Sequence, residues 1–162
     1  MRTLYLLRHA KSSWNDASLR DFDRPLNDRG REAAERIGKR LAAEKLSTPL
    51  LICSPALRTR QTAEIVLSSS ALRAEERLDE RIYEASVRDL MEVISEIPDD
   101  KPVAILIGHN PGFEELLVFL TGETRRMPTC ALAKITLDVA SWRDVRTGSL
   151  EWFITPKEQM AP

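Results

Sequence analysis

Short apolar runs alternate with helical patterns along most of this chain. The clearest runs lie at residues 3–7, 50–53 and 103–108. Each run is bounded by polar or turn-forming residues, and a segment whose apolar residues recur at helical spacing follows it along the chain. This alternation is typical of βαβ units, in which crossover helices join parallel strands and cover the faces of their sheet. The sequence therefore predicts an α/β fold.

Capping residues mark where the predicted helices begin. Asn27 and Ser86 are typical N-caps, and apolar residues at helical spacing follow each of them. Ser54-Pro55 and Asn110-Pro111 combine a capping residue with a proline, which is favoured at the first position of a helix. In chain order, the four predicted helices run to about residue 44, about residue 69, Pro98 and Gly122.

Three further β segments complete the predicted sheet. Residues 72–78 predict a more exposed strand. Residues 131–139 and 149–154 predict two strands joined by a turn at 146–148, which suits antiparallel pairing at a sheet edge. With no internal repeat or linker, the 162 residues predict a single three-layer α/β/α domain. Its central sheet is expected to be mostly parallel, with an antiparallel C-terminal edge.

The composition excludes several classes of partner and site. With 24 Lys and Arg against 25 Asp and Glu, the formal net charge is −1, so we expect no nucleic-acid or membrane binding. No apolar stretch approaches the ~18 residues of a spanning helix, and no cleavable leader is recognisable, which predicts a cytoplasmic protein. Cys53 and Cys130 lack metal-binding or C-x-x-C spacing and are interpreted as core thiols.

Both histidines of the chain follow predicted strands. Arg8-His9 follows the first strand, and His109 follows the strand at 103–108. The carboxyl ends of parallel strands meet at one edge of a sheet, and Arg58 falls near the start of the helix after 50–53. Arginine suits bidentate capture of phosphate, and helix N-termini attract anions. Each residue taken alone is more typical of packing or of a solvated surface, but their coincidence predicts a phosphate pocket.

Three segments resemble the motifs of the histidine phosphatase superfamily, which includes phosphoglycerate mutases and acid phosphatases. They are Arg8-His9-Ala10-Lys11-Ser12-Ser13-Trp14-Asn15, Ser54-Pro55-Ala56-Leu57-Arg58-Thr59-Arg60-Gln61-Thr62-Ala63 and Gly108-His109-Asn110-Pro111. The short chain, with no inserted cap domain, is most similar to the compact SixA-like phosphohistidine phosphatases. The resemblance implies one phosphoglycerate mutase-like domain over residues 1–162.

The resemblance also implies a mechanism that needs no metal and no cofactor. His9 would attack phosphorus and form a covalent phosphohistidine, which water then hydrolyses. Arg8, Arg58 and His109 would stabilise the charge on the phosphoryl oxygens. Asn15 would add a hydrogen bond, unless it is only a turn residue.

Three positions leave questions open. Residues 77–83 are similar to the segment that supplies a general acid in the mutases, which makes Glu80 the matching residue and Glu84 the second choice; either could equally be a solvated surface charge. Lys11 replaces the usual glutamate, and it would attract an anionic substrate or simply remain solvated. Ala10 replaces the usual glycine, which excludes a backbone conformation that only glycine accepts.

The preferred function is hydrolysis of phosphohistidine in a partner protein. The closest alternative is a phosphatase for a small phosphorylated metabolite, since an oxygen leaving group would need an acid that imidazole needs less. A mutase would need extra segments, and a phosphate- or phosphoprotein-binding module without turnover is the alternative from another class. A zinc hydrolase is disfavoured, because the two histidines stand 100 residues apart without metal-binding spacing.

Overall fold

Six strands form one sheet, and helices cover both of its faces. The computed structural model describes residues 1–159, so the last three residues of the predicted domain lie outside the described part. The strands are β1 (Arg2–Arg8), β2 (Leu50–Cys53), β3 (Glu75–Leu78), β4 (Val103–Gly108), β5 (Leu132–Leu137) and β6 (Ser149–Ile154). The helices are α1 (Asp28–Ala42), α2 (Leu57–Ser70), α3 (Val87–Ser95), α4 (Gly112–Thr121) and α5 (Pro156–Gln159).

The sheet has the strand order β3-β2-β4-β1-β5-β6. Strands β3, β2, β4 and β1 pair in parallel, whereas β5 pairs antiparallel with both β1 and β6. The prediction of a mostly parallel sheet with an antiparallel C-terminal edge is therefore confirmed. Because β2, β4 and β1 are neighbours, their carboxyl ends meet at one edge, where the predicted pocket residues leave the sheet.

The core is divided into two layers by the sheet. Leu4 and Leu6 of β1 pack on one side with residues of α3 and α4, while Tyr5 and Leu7 pack on the other side with residues of α1 and α2. A parallel sheet covered by helices on both faces explains why its strands are near-continuous apolar runs. Full burial of each such leucine contributes roughly 1.5–3 kcal/mol, which makes the inner strands a rigid base for the residues that follow them.

Two of the predicted helix starts are confirmed. The Asn27 side chain accepts a hydrogen bond from the backbone N–H of Gly30 and caps α1. Ser86 and Asp89 form a reciprocal capping box at the start of α3. Gly122, with a φ of 75°, closes α4 in the left-handed conformation that glycine accepts most readily. Cys53 and Cys130 are both buried, as the core-thiol interpretation requires.

The other two predicted helix starts are wrong. Helix α2 begins three residues after Ser54, and α4 begins two residues after Asn110. Both side chains have tertiary partners: the Ser54 hydroxyl binds the ring of His109 besides accepting from the N–H of Ala56 at 3.4 Å, and the Asn110 amide donates to the carbonyl oxygen of Met127. Among the described residues, none of the helices has the length and apolar character needed to cross a membrane.

Candidate active site

Strands β1 and β4 and helix α2 bring the predicted phosphate-pocket residues together. His9 follows β1 and its backbone N–H donates to the carbonyl oxygen of Gly108, the last residue of β4. The rings of His9 and His109 have centroids 5.2 Å apart. A cavity of about 310 Å³ lies at this edge of the sheet. It is lined by Arg8, His9, Lys11, Ser12, Trp14, Asp21, Arg24, Arg58, His109, Asn110 and Thr129.

The ring of His9 is held in one orientation and one tautomer. Its Nδ1 lies 2.7 Å from the carbonyl oxygen of Ala10, which can only accept, so Nδ1 carries the proton and Nε2 carries the lone pair. Burial, together with the positive charges of Arg58, Arg8 and Arg24, lowers the pKa of His9 to about 4. The ring is therefore neutral at neutral pH, which is the form that can attack phosphorus.

The backbone after His9 is anchored to α2. The N–H of Ala10 donates to the hydroxyl oxygen of Thr62, and that hydroxyl donates in turn to the carbonyl oxygen of Arg58. Ala10 is fully buried and is not among the described residues with positive φ. Its Cβ is therefore accommodated without backbone strain at the position where the family usually has glycine.

The guanidinium of Arg58 contacts both histidine rings. Its Nε lies 3.4 Å from His9 Nε2, and its Nη2 lies 3.3 Å from His109 Nδ1. Asp21 accepts from Nη1 through its backbone oxygen at 2.7 Å and from Nη2 through its carboxylate at 3.0 Å. All three nitrogens of this side chain thus have partners within the protein.

Asp21 is an ionised carboxylate at the wall of the cavity. Partial burial opposes its ionisation, but hydrogen bonds from Tyr83 and Arg58 outweigh burial and lower the pKa of Asp21 below its usual value. The Tyr83 hydroxyl donates to the carboxylate at 2.7 Å. An aspartate with a lowered pKa carries no proton at neutral pH, so it has none to give to a leaving group.

His109 is neutral in this arrangement. Because arginine can only donate, His109 Nδ1 accepts from Arg58, and its proton lies on Nε2, 2.7 Å from the hydroxyl oxygen of Ser54. Burial is the main cause that lowers the pKa of His109 to about 3, and the positive charge of Arg58 adds to it. The ring of Tyr83 packs edge-on against His109 with centroids 5.3 Å apart.

A comparison with known proteins identifies the family of this chain. Residues 4–104 match the family model of the histidine phosphatase superfamily, branch 1. The chain belongs to the histidine phosphatase superfamily. Membership confirms the predicted family, and the first two of the three motifs lie within the matched residues. It supports a phosphatase or mutase-type enzyme.

The relatives of this histidine phosphatase include uncharacterised proteins. One, a chloroplastic protein of Arabidopsis thaliana, is 33% identical over 153 residues, which cover 88% of this chain and 70% of the relative. Another, from Mycobacterium tuberculosis, is 30% identical over 153 residues, which cover 88% of this chain and 93% of the relative.

Solved structures confirm the phosphoglycerate mutase-like fold. A candidate phosphohistidine phosphatase SixA from Nakamurella multipartitia superposes with a TM-score of 0.85 at 25% identity, over 96% of both chains. A candidate phosphohistidine phosphatase SixA from Agrobacterium tumefaciens has a TM-score of 0.82 at 29% identity, over 96% of this chain and 98% of the other. The predicted similarity to the SixA-like branch is confirmed at the level of structure.

Three predicted site residues of this histidine phosphatase lie outside the lining of the cavity. Glu80 is exposed in a short 3₁₀ turn at 80–82, and Glu84 is exposed with a φ of 54°. Asn15 is also exposed, and its backbone N–H donates to the hydroxyl oxygen of Ser13. Lys11 does line the cavity, where it adds an exposed positive charge.

Several residues that the sequence reasoning did not assign to the site contact it, among them Asp21, Arg24, Ser54 and Tyr83. Asp21 and Arg24 come from the polar segment between β1 and α1, whose length is typical of a functional loop. Ser54 was interpreted as a helix cap, and Tyr83 is the last residue of the predicted acid segment. The length of the segment is therefore the signal for Asp21 and Arg24, since their residue types are equally typical of surface ion pairs.

The part of the chain that the structure describes offers no set of side chains that could bind a metal ion. No group of three or more His, Cys, Asp or Glu side chains among residues 1–159 is placed to hold a metal ion. A larger groove of about 930 Å³ lies between α2 and β3, but none of the predicted site residues lines it. The predicted site residues that the fold brings together thus line the smaller cavity and not the larger groove.

Proposed function

We propose that this protein is a phosphohistidine phosphatase that acts through a covalent phosphohistidine intermediate at His9. The observation that carries the proposal is the state of the His9 ring. Its proton is held on Nδ1 by the Ala10 carbonyl, which leaves the Nε2 lone pair among the side chains of Arg8, Arg58 and His109. A neutral nucleophile surrounded by fixed cationic donors is what in-line attack on a phosphoryl dianion requires.

The first step transfers the phosphoryl group to the enzyme. His9 Nε2 forms a bond to phosphorus while the bond from phosphorus to the substrate's ring nitrogen breaks, and that electron pair leaves with the imidazole. Arg8 and Arg58 stabilise the equatorial oxygens. His109, neutral in the free site, takes up a proton at Nδ1 when the dianion binds, because a nearby negative charge raises the pKa of a histidine. The proton replaces the hydrogen bond that Nδ1 accepts from Arg58 in the free site, and Nδ1–H then donates to the phosphoryl group.

The second step regenerates the enzyme. A water molecule attacks the phosphorus of phosphorylated His9, and the bond between phosphorus and Nε2 breaks. Inorganic phosphate leaves, the proton of the water passes to phosphate or solvent, and the His9 ring returns to its neutral form with Nδ1 still bound to the Ala10 carbonyl.

The state of Asp21 supports phosphohistidine as the substrate class. Among the described residues that line the cavity, Asp21 is the only one with a carboxylate side chain. Its lowered pKa keeps this carboxylate unprotonated at neutral pH. Glu80 and Glu84 lie outside that lining. An alcohol leaving group needs an acid, whereas the imidazole of a phosphohistidine that is protonated at its other nitrogen leaves as a neutral molecule. The exposed Lys11 and Trp14 at the cavity give a protein partner a surface to contact.

Two experiments test the proposal. Brief incubation with a labelled phosphodonor is expected to leave label on His9 that is lost in acid and retained in base, and the His9→Asn variant is the matched control without label. Label on a serine, or active enzyme without label, would contradict the mechanism. Turnover of a phosphorylated histidine-containing protein is then compared with a panel of sugar and nucleotide phosphates. Faster ester hydrolysis would reject the substrate class, and phosphate binding without any turnover would indicate a binding module.

A further inference from the structure

Arg24 is buried at the cavity that contains the candidate nucleophile, yet two of its guanidinium nitrogens have no hydrogen-bond partner. Its side chain is 8% exposed. Nη2 donates to the hydroxyl oxygen of Ser12, but Nε and Nη1 have no hydrogen-bond acceptor in the described structure. Asp21 Oδ1 lies 3.8 Å from Nε, beyond hydrogen-bond distance. Buried N–H groups without an acceptor cost free energy, and such groups in a cavity call for a ligand.

The orientation of Arg24 is fixed from two sides. The Cζ atom of its guanidinium lies 3.4 Å from the centre of the Trp14 ring, which covers one face of the plane. Ser12 holds one edge of the plane and is itself bridged to Leu26, so both supports belong to the segment between β1 and α1. A guanidinium held by stacking and by an edge hydrogen bond presents its remaining donors in a fixed direction.

Arg24 and Arg58 differ in how their donors are used. The Arg58 nitrogens all contact His9, Asp21 or His109. By contrast, Nε of Arg8 and both Nε and Nη1 of Arg24 are buried without partners, and both residues line the cavity. An anion that enters the cavity therefore finds donors without hydrogen-bond acceptors on Arg8 and Arg24, whereas on Arg58 it must displace the hydrogen bonds to Asp21; at Arg24, Asp21 is only an ion-pair partner at 3.8 Å.

We propose that Arg24 binds the phosphoryl oxygens of the substrate, as a third arginine beside Arg8 and Arg58. Nη1 supplies the main hydrogen bond, and Nε is the second available donor. Trp14 and Ser12 act as positioning residues that hold the guanidinium plane. The inference rests on the proposed function for the identity of the reaction, but it concerns the transferred phosphoryl group and not the leaving group.

Binding of inorganic phosphate to the whole chain, measured by calorimetry, and inhibition by orthovanadate test this role. We expect Arg24→Gln to weaken phosphate and vanadate binding by about 10- to 100-fold, because a hydrogen-bonded charge is lost. Arg24→Lys retains the charge without the planar fork, so a smaller loss of phosphate affinity, up to about tenfold, is expected. The matched control is Arg20→Gln, in the same segment, since Arg20 is 77% exposed and lies outside the cavity lining. Its phosphate affinity should equal that of the wild type.

Wild-type phosphate affinity in a folded Arg24→Gln protein would overturn the inference, and a lowered melting temperature with unchanged affinity would assign Arg24 to holding the loop. If Arg24→Gln does not fold, Arg24→Lys is used instead, and wild-type phosphate affinity in that variant would overturn the inference as well. The two proposals fail separately. A wild-type protein that binds phosphate through Arg24 but does not turn over phosphohistidine would contradict the proposed function alone.

Discussion

Asp21 holds Arg58 through two hydrogen bonds, one from its carboxylate and one from its backbone oxygen, at 3.0 and 2.7 Å. This pairing directs the guanidinium at the rings of His9 and His109. It also places a negative charge beside the arginine that a phosphoryl group needs. The carboxylate of Asp21 thus fixes the orientation of Arg58, but its negative charge lowers the affinity of the site for phosphate.

Replacement of Asp21 by asparagine should separate these two effects. The amide oxygen retains an acceptor but removes the charge, so we expect KM for a phosphorylated substrate to fall about threefold, since a half-exposed pair contributes about 1 kcal/mol or less. We expect kcat to fall as well, because Arg58 is held less firmly. Steady-state kinetics measure both constants. Tyr83→Phe, which removes a hydrogen bond to Asp21 without a charge, is the control. A higher KM in Asp21→Asn would contradict repulsion by the carboxylate.

The hydroxyl of Ser54 accepts from Nε2 of His109, the nitrogen that carries the proton because Nδ1 accepts from Arg58. We expect Ser54→Ala to lower kcat/KM about tenfold, because a buried hydrogen bond that orients the ring is lost. Ser69→Ala removes a partly buried hydroxyl from α2 away from the cavity and should leave kcat/KM unchanged. Histidine NMR of the ring nitrogens provides a second readout, in which Ser54→Ala should shift the Nε2–H resonance of His109 because its acceptor is lost. Wild-type kinetics in Ser54→Ala would show that the contact does not orient the ring.

Both histidines should make the protein less stable in mild acid. Their pKa values of about 4 and about 3 in the folded chain lie below the ordinary value of 6.5. As pH falls below 6.5, the unfolded chain takes up protons that the folded chain does not, so the free energy of unfolding decreases toward the folded pKa values. Between pH 7.5 and 5 we expect a loss of about 2 kcal/mol per histidine. Urea denaturation measures it, and a His9→Asn/His109→Asn double variant should show a nearly flat profile over this range.

Glu80 provides a test of the leaving group. If the substrate is a phosphohistidine, Glu80→Gln should change its hydrolysis less than about twofold, because Glu80 is exposed outside the cavity lining. Glu84→Gln, a neighbouring exposed carboxylate, is the matched control. A large loss of ester hydrolysis confined to Glu80→Gln would instead assign it as the acid for an ester substrate.

Chelation should leave turnover unchanged. The described residues hold no cluster that could bind a metal ion, and the proposed steps use only nitrogen donors of the chain. Initial rates with and without EDTA, after dialysis, are the measurement. Activity that disappears with EDTA and returns with zinc would revive the hydrolase alternative.

The inner strands were predictable because burial makes β1, β2 and β4 near-continuous apolar runs, whereas the edge strands β3 and β6 are more exposed. The bounds of β2, β4 and β6 match the predicted runs, and the antiparallel edge follows from the turn before β6. The starts of α2 and α4 were not predictable, because Ser54 and Asn110 are good caps by residue type and only their tertiary partners divert them. At these two positions, hydrogen bonds between distant segments outweigh the local preference of serine and asparagine for helix N-caps.

The site likewise contains residues whose positions were predictable and residues whose positions were not. Arg8, His9 and His109 are positioned by strand ends, which the apolar runs determine, so their convergence could be expected from topology. Asp21 and Arg24 reach the cavity from a segment without regular periodicity. No spacing rule states where such a segment folds back, and their charges are equally typical of a solvated loop.

The candidate nucleophile and the side chains around it have unequal freedom to change. His9 follows an inner strand, paired on both sides, that cannot shift without disturbing the whole core. Within the β1–α1 connection, Asp21 and Arg24 serve the reaction itself, whereas residues 15–19 are exposed. Selection for a new phosphorylated partner can therefore act on this exposed part of the connection while phosphoryl transfer is retained, which makes it the natural place to redirect the enzyme.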